Sequence, residues 1–166
     1  MKIKLTLLTL FAAFAFTASA QDYKNSIGIR LGGGYYDLIG ASFKTFISDP
    51  AALEFNLGIR PSITYGLTDG ITNVSVSGAY QHHFPIGNIE GFKWYVGGGA
   101  VIAHTSSSFD DWQGISVGIF PTGGVDYKLK NAPFAFSADV RPTVHAVKTY
   151  FNTVYMNGGV TARYVF

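Results

Sequence analysis

From residue 27 onward the chain alternates apolar with polar or small side chains at a period of two. That period belongs to strands, because successive side chains of a strand point to opposite faces. In the clearest stretch Phe134, Phe136, Ala138, Val140, Pro142, Val144 and Ala146 share one face. Ala135, Ser137, Asp139, Arg141, Thr143, His145 and Val147 share the other. Seven further stretches repeat the pattern, near 27–31, 39–44, 53–64, 74–84, 92–103, 115–127 and 154–166. Twenty glycines, many of them inside apolar runs, speak against helices. Pro61, Pro121 and Pro142 fall within the strand patterns, where proline marks an edge or a bulge.

Only 13% of the residues are charged and 16% are aromatic, and there is no cysteine. This profile excludes a disordered chain, a disulfide scaffold and thiolate chemistry. The first twenty residues are read apart from the fold. Lys2 and Lys4 precede the uncharged, mostly apolar run 5–16, and Thr17-Ala18-Ser19-Ala20 supplies small residues for cleavage before Gln21. Residues 1–20 are thus expected to be a cleaved secretory signal peptide. Residues 21–166 are expected to form one domain. Without Lys2 and Lys4, ten basic residues face ten acidic ones, so no basic stripe for nucleic acid remains.

A greasy, aromatic, exported chain with no long apolar helix fits a membrane β-barrel. The fold class expected is all-β: an eight-stranded antiparallel up-and-down transmembrane barrel. Closure is required, because an open backbone edge in lipid costs several kcal/mol per unsatisfied group. Connections at 48–50, 85–91 and 130–133 read as short turns; those at 66–72 and 105–114 read as longer, polar outer loops.

Inward positions carry the charges. Arg30, Lys44, Glu54, Arg60, Asp126, Asp139, Arg141 and Arg163 are expected to form a lumenal network with a slight basic excess. Eight strands leave room for side chains and little more, so buried charges must pair. Phe92, Trp94, Trp112, Tyr164 and Phe166 are expected at the membrane interfaces, as are Tyr35 and Tyr36 at the outer end. Adjacent His82 and His83 point to opposite faces and cannot share a metal ion. His104, Thr105 and Ser106 invite a catalytic reading, but the nearby carboxylates, Asp110 and Asp111, lie in a loop. Gly32-Gly33-Gly34 and Gly97-Gly98-Gly99 lack phosphate-loop spacing and read as relief of crowding. No cofactor or metal is called for.

The closing Tyr164-Val165-Phe166 resembles the C-terminal signal of outer-membrane barrels. Ala52-Leu53-Glu54, Tyr80-Gln81-His82-His83, Trp94-Tyr95-Val96-Gly97-Gly98-Gly99, Gly124-Val125-Asp126-Tyr127 and Ala138-Asp139-Val140-Arg141-Pro142 add to the likeness. Together they resemble the small porin-like outer-membrane β-barrel proteins of the Bacteroidota, over nearly the whole chain after residue 20. The resemblance implies a bacterial outer-membrane location, lipid as surroundings and recognition of the C-terminal segment by the barrel-assembly machinery. The leading expectation is a monomeric, non-enzymatic barrel with a narrow or plugged lumen, acting structurally or through its outer loops. The alternatives are a narrow ion or solute channel gated by lumenal salt bridges, a lipid-modifying enzyme and a soluble lipocalin-like carrier with the faces inverted.

Overall fold

The computed structural model describes residues 23–61, 71–107, 113–147 and 153–166. Eight strands run in chain order: β1 (Asn25–Gly33), β2 (Ile39–Ser48), β3 (Ala51–Arg60), β4 (Thr72–Pro85), β5 (Phe92–Ser106), β6 (Gly114–Lys128), β7 (Phe134–Val147) and β8 (Val154–Val165). Each pairs antiparallel with its sequence neighbours, and β8 returns to β1, so the sheet is closed. Asn25 and Phe166 exchange backbone hydrogen bonds of 3.0 and 2.9 Å at the junction. Strands β4 to β8 are 12 to 15 residues long, enough to cross a hydrocarbon core even when tilted.

The distribution of polarity is the reverse of a water-soluble globule. The largest side chains that are fully buried include Arg30, Arg163, Lys44, Gln81 and Glu54. Outside, Met156, Ile115, Ile29 and Ile119 are each 60% exposed or more. Apolar surface left outward in eight adjoining strands is far larger than a soluble monomer carries. Strand periodicity makes this arrangement, because each strand contributes one apolar face outside and one polar or small face inside.

Connections alternate in length. β2–β3, β4–β5 and β6–β7 are joined by short turns at the end where β1 begins and β8 finishes. The β3–β4 and β5–β6 connections, 61–71 and 107–113, are longer and fall mostly outside the described residues. The prolines divide in their behaviour. Pro61 follows the last residue of β3, so it ends the strand instead of interrupting it. Pro121 and Pro142 sit inside β6 and β7, and the register places them opposite each other. Neither has an N–H to donate across the pair. The ladder is accordingly unpaired between Ile119↔Val144 and Gly123↔Val140. A separate irregularity falls at Val117/Gly118.

Candidate functional site: the closed polar interior

The centre of the barrel is an unbroken run of ion pairs. Arg30 of β1 holds Asp139 of β7 with two hydrogen bonds, 2.5 and 2.9 Å. Arg141, two residues along the same face, meets Asp139 at 2.9 Å and Glu54 of β3 at 2.6 Å. Glu54 is the hub. Arg163 of β8 lies 2.9 Å away, Lys44 of β2 lies 3.7 Å away, and the Gln81 and Asn56 amides donate at 2.8 and 3.0 Å. Lys44 continues the run to Asp126 of β6 at 2.5 Å. The side chains of Glu54, Lys44 and Arg163 are wholly buried. Charges this deep require partners, and each has at least one.

Two residues differ from expectation. Arg60 has the inward register but is the last residue of β3, and it is exposed outside the network. Asp37, in the β1–β2 connection, enters instead and accepts from Arg30 Nε at 3.1 Å. The interior therefore pairs Arg30, Lys44, Arg141 and Arg163 with Asp37, Glu54, Asp126 and Asp139. Four cations meet four carboxylates, so the expected basic excess is absent from the barrel centre. Inward glycines make the room. A Cβ on Gly58 would lie 2.5 Å from the Asp37 Cβ, and one on Gly159 would lie 2.8 Å from the Arg30 guanidinium.

At the end opposite the short turns, the same short loop packs into the barrel. Tyr36 is 4% exposed and its hydroxyl is hydrogen-bonded to His145 Nε2, so it is not the interfacial aromatic expected. Burial, then the neighbouring Tyr35, pushes the Tyr36 phenol above its usual range. Tyr35 stacks on Tyr155 with ring centres 4.6 Å apart, and its hydroxyl lies 3.0 Å from Thr105 Oγ1. Asn73 and Asn157 bind its backbone oxygen and nitrogen at 2.7 and 2.8 Å. Below this plug, between Tyr36 and the two arginines Arg30 and Arg141, the free space is about 20 Å³. That is room for about one water.

At the turn end Tyr23 covers the network. It packs edge-on to Phe46 and donates to Asp126 Oδ1 at 3.5 Å. Burial, then the Asp126 carboxylate, raises the Tyr23 phenol well above its usual range. The aromatics collect outside at this same end. Trp94 stacks on Phe84 at 4.5 Å, and Phe92 meets Tyr127 edge-on. Tyr164 meets Phe134 edge-on and stacks on Phe166. Trp112 lies outside the described residues.

This architecture is shared with outer-membrane barrels. The chain superposes on the Neisserial surface protein A with a TM-score of 0.55, 15% identity, and coverage of 89% of this chain and 98% of that one. For Ail, the attachment invasion locus protein of Yersinia pestis, the values are 0.53, 15%, 86% and 97%. For the N-terminal β-barrel domain of Pseudomonas aeruginosa OprF they are 0.55, 18%, 87% and 100%. No family model matches the chain, and no curated protein matches it by sequence. At these identities the likeness is one of fold.

The histidines take the places their registers give them. His82 is half-buried on the outer face and lies 3.3 Å from the Tyr80 hydroxyl; His83 points inward, 3.7 Å from Asp126. His104 and Ser106 both lie on the outer face, exposed, 3.5 Å apart. Asp110 and Asp111 fall outside the described residues. Among the described residues no carboxylate orients His104.

Proposed function

We propose that this chain is an integral protein of the bacterial outer membrane, exported by a cleaved signal peptide of residues 1–20. Residues 21–166 form its barrel, closed to solutes and without enzymatic activity, and it acts structurally or through its outer loops after β3 and β5. One observation carries the reading: the outer wall is apolar around its whole circumference while the interior is filled by neutralised charge. An apolar wall needs lipid. The small free volume beneath Tyr36, about 20 Å³ between Arg30 and Arg141, supports a lumen closed to hydrated ions.

The remaining features fit the same reading. Phe92, Trp94, Tyr164 and Phe166 lie at one end, where amphipathic rings anchor a barrel in the headgroup layer. The interior Arg30, Lys44, Glu54, Asp126, Asp139, Arg141 and Arg163 serve as a polar core in this reading. Tyr164-Val165-Phe166 would be the segment met by the barrel-assembly machinery, and the barrel would work as a monomer. The segment likenesses at Tyr80–His83 and Ala138–Pro142 support a place among the small porin-like barrels of the Bacteroidota. Cell fractionation with gel mobility before and after boiling tests the proposal. Recovery in the outer membrane with a heat-dependent shift is expected. Recovery in the soluble periplasm would overturn it and favour an inverted, carrier-type barrel.

A further inference from the structure

The ladders on either side of the β7–β8 pair give out at one level. Toward β6 the pairing stops at Gly123↔Val140, because Pro121 and Pro142 face each other without an N–H between them. Beyond the prolines Ile119↔Val144, Gly118↔His145 and Val117↔Val147 follow, with an irregularity among them. By contrast β5 and β6 pair without a break from Phe92↔Tyr127 to Thr105↔Gly114. On the other side β1 ends at Gly33, whose partner is Gly158, so no β1 residue pairs with β8 from Val154 to Asn157. Val140 and Gly158 are partners of each other. One register line, Gly123–Val140–Gly158–Gly33, therefore marks the last regular pairing on both sides.

Above that line the end of the hairpin, 142–147 and 153–157, is braced within itself. Pro142↔Met156, Thr143↔Tyr155 and Val144↔Val154 continue the β7–β8 ladder. The His145 N–H donates to the Thr153 carbonyl at 2.9 Å, and the Asn157 amide donates to Thr143 Oγ1 at 2.9 Å. The β1–β2 connection clasps this end to the barrel. Tyr35 stacks on Tyr155 with ring centres 4.6 Å apart, and its N–H donates to Asn157 Oδ1 at 2.8 Å. The Tyr36 hydroxyl is hydrogen-bonded to His145 Nε2. The connection is itself fixed from below, where Asp37 accepts from Arg30 Nε at 3.1 Å. A segment braced inside and thinly tied at its sides opens as a unit before the whole fold does.

We propose that the end of the β7–β8 hairpin is a hinged flap, turning about Pro142 and Gly158 and clasped shut by Tyr35 and Tyr36. A few residues at the ends of ordered segments are enough to absorb such a turn. Opening parts the flap from β6 and uncovers the Tyr36 ring, which is 4% exposed when the flap is shut. The ion pairs that join Asp139 to Arg30 and Arg141 to Glu54 start below the hinge. They stay in place when the flap moves, so the opening is local and the barrel centre remains closed.

Amide hydrogen exchange of the whole protein folded in detergent, read residue by residue by nuclear magnetic resonance, tests the flap. It reads backbone pairing and so is independent of where the barrel resides in the cell. Ile119 and Val144 pair across the β6–β7 seam above the hinge, Gly123 and Val140 pair across it below, and Thr143 and Tyr155 pair within the flap. Ile119 and Val144 are expected to share one protection factor, about tenfold or more below those of the other four. Tyr35→Ala removes the stack on Tyr155 and is expected to lower that shared factor about tenfold more. Pro121→Val with Pro142→Val supplies the two missing donors and is expected to raise it about tenfold. The heat-shifted gel band confirms that each variant is folded. Three results would overturn the proposal: equal protection of all six amides, Thr143 and Tyr155 exchanging as fast as Ile119 and Val144, or no response in a folded variant.

Discussion

Glu54→Gln is the most informative single substitution. Glu54 accepts from Arg141 at 2.6 Å, lies 2.9 Å from Arg163 and sits 3.7 Å from Lys44. Removing its charge does not affect the three cations equally. Arg141 keeps Asp139 at 2.9 Å, and Lys44 keeps Asp126 at 2.5 Å. Arg163 keeps only the hydroxyls of Ser42 and Ser137, at 3.1 and 2.8 Å. It becomes a buried guanidinium without a carboxylate. Breaking a buried pair in this way costs about 3–5 kcal/mol. With urea slopes of about 1–3 kcal/mol/M, the unfolding midpoint falls by roughly 1–5 M. The assay is urea unfolding of the barrel folded in detergent, followed by the fraction that keeps its unheated gel mobility. Glu54→Gln with Arg163→Gln should recover much of the loss, because the orphaned charge goes with its partner. A Glu54→Gln unfolding free energy within about 0.5 kcal/mol of the parent's, the range of an ordinary surface change, would refute the hub argument.

Three further outcomes are expected. In Pro142→Val the new N–H lies opposite the Pro121 carbonyl and should be protected from amide hydrogen exchange; a freely exchanging amide would contradict the facing register. Gly97→Ala should abolish the heat-shifted band, since its Cβ would lie 1.8 Å from the Tyr80 carbonyl oxygen, whereas Gly78→Ala, 3.5 Å from the Phe55 ring, should fold. Tyr36 stays neutral in the fold above the ordinary tyrosine range near pH ~10, so its contribution to stability is complete below that pH and declines as pH rises past it. Tyr36→Phe should accordingly lessen the alkaline drop in unfolding midpoint, and the same drop in both proteins would count against a buried phenol.

The eight strands and their closure were legible because a two-residue period also states which face each side chain takes. Period says nothing of depth. Arg60 has the same parity as Glu54 but lies at the strand end, where its guanidinium stays in the open. Asp37 and Tyr36 belong to a short connection with no period, so their entry into the barrel had no pattern to announce it. A weak signal did exist. A Cβ on Gly32 or Gly58 would run into Asp37, and one on Gly118 would lie 3.0 Å from the Tyr36 hydroxyl, so inward glycines mark space taken by another element. That Pro121 faces Pro142 depends on inter-strand register, which alternation within one strand leaves open.

The central claim is that neutralised charge closes the interior under the Tyr36 plug. Planar-bilayer recording of protein refolded from inclusion bodies, free of native porins, tests it most directly. The account predicts no conductance steps from the parent protein. Steady steps that scale with the amount of folded barrel would contradict it, because an ion path would then have to run past the paired Glu54, Arg141 and Arg163.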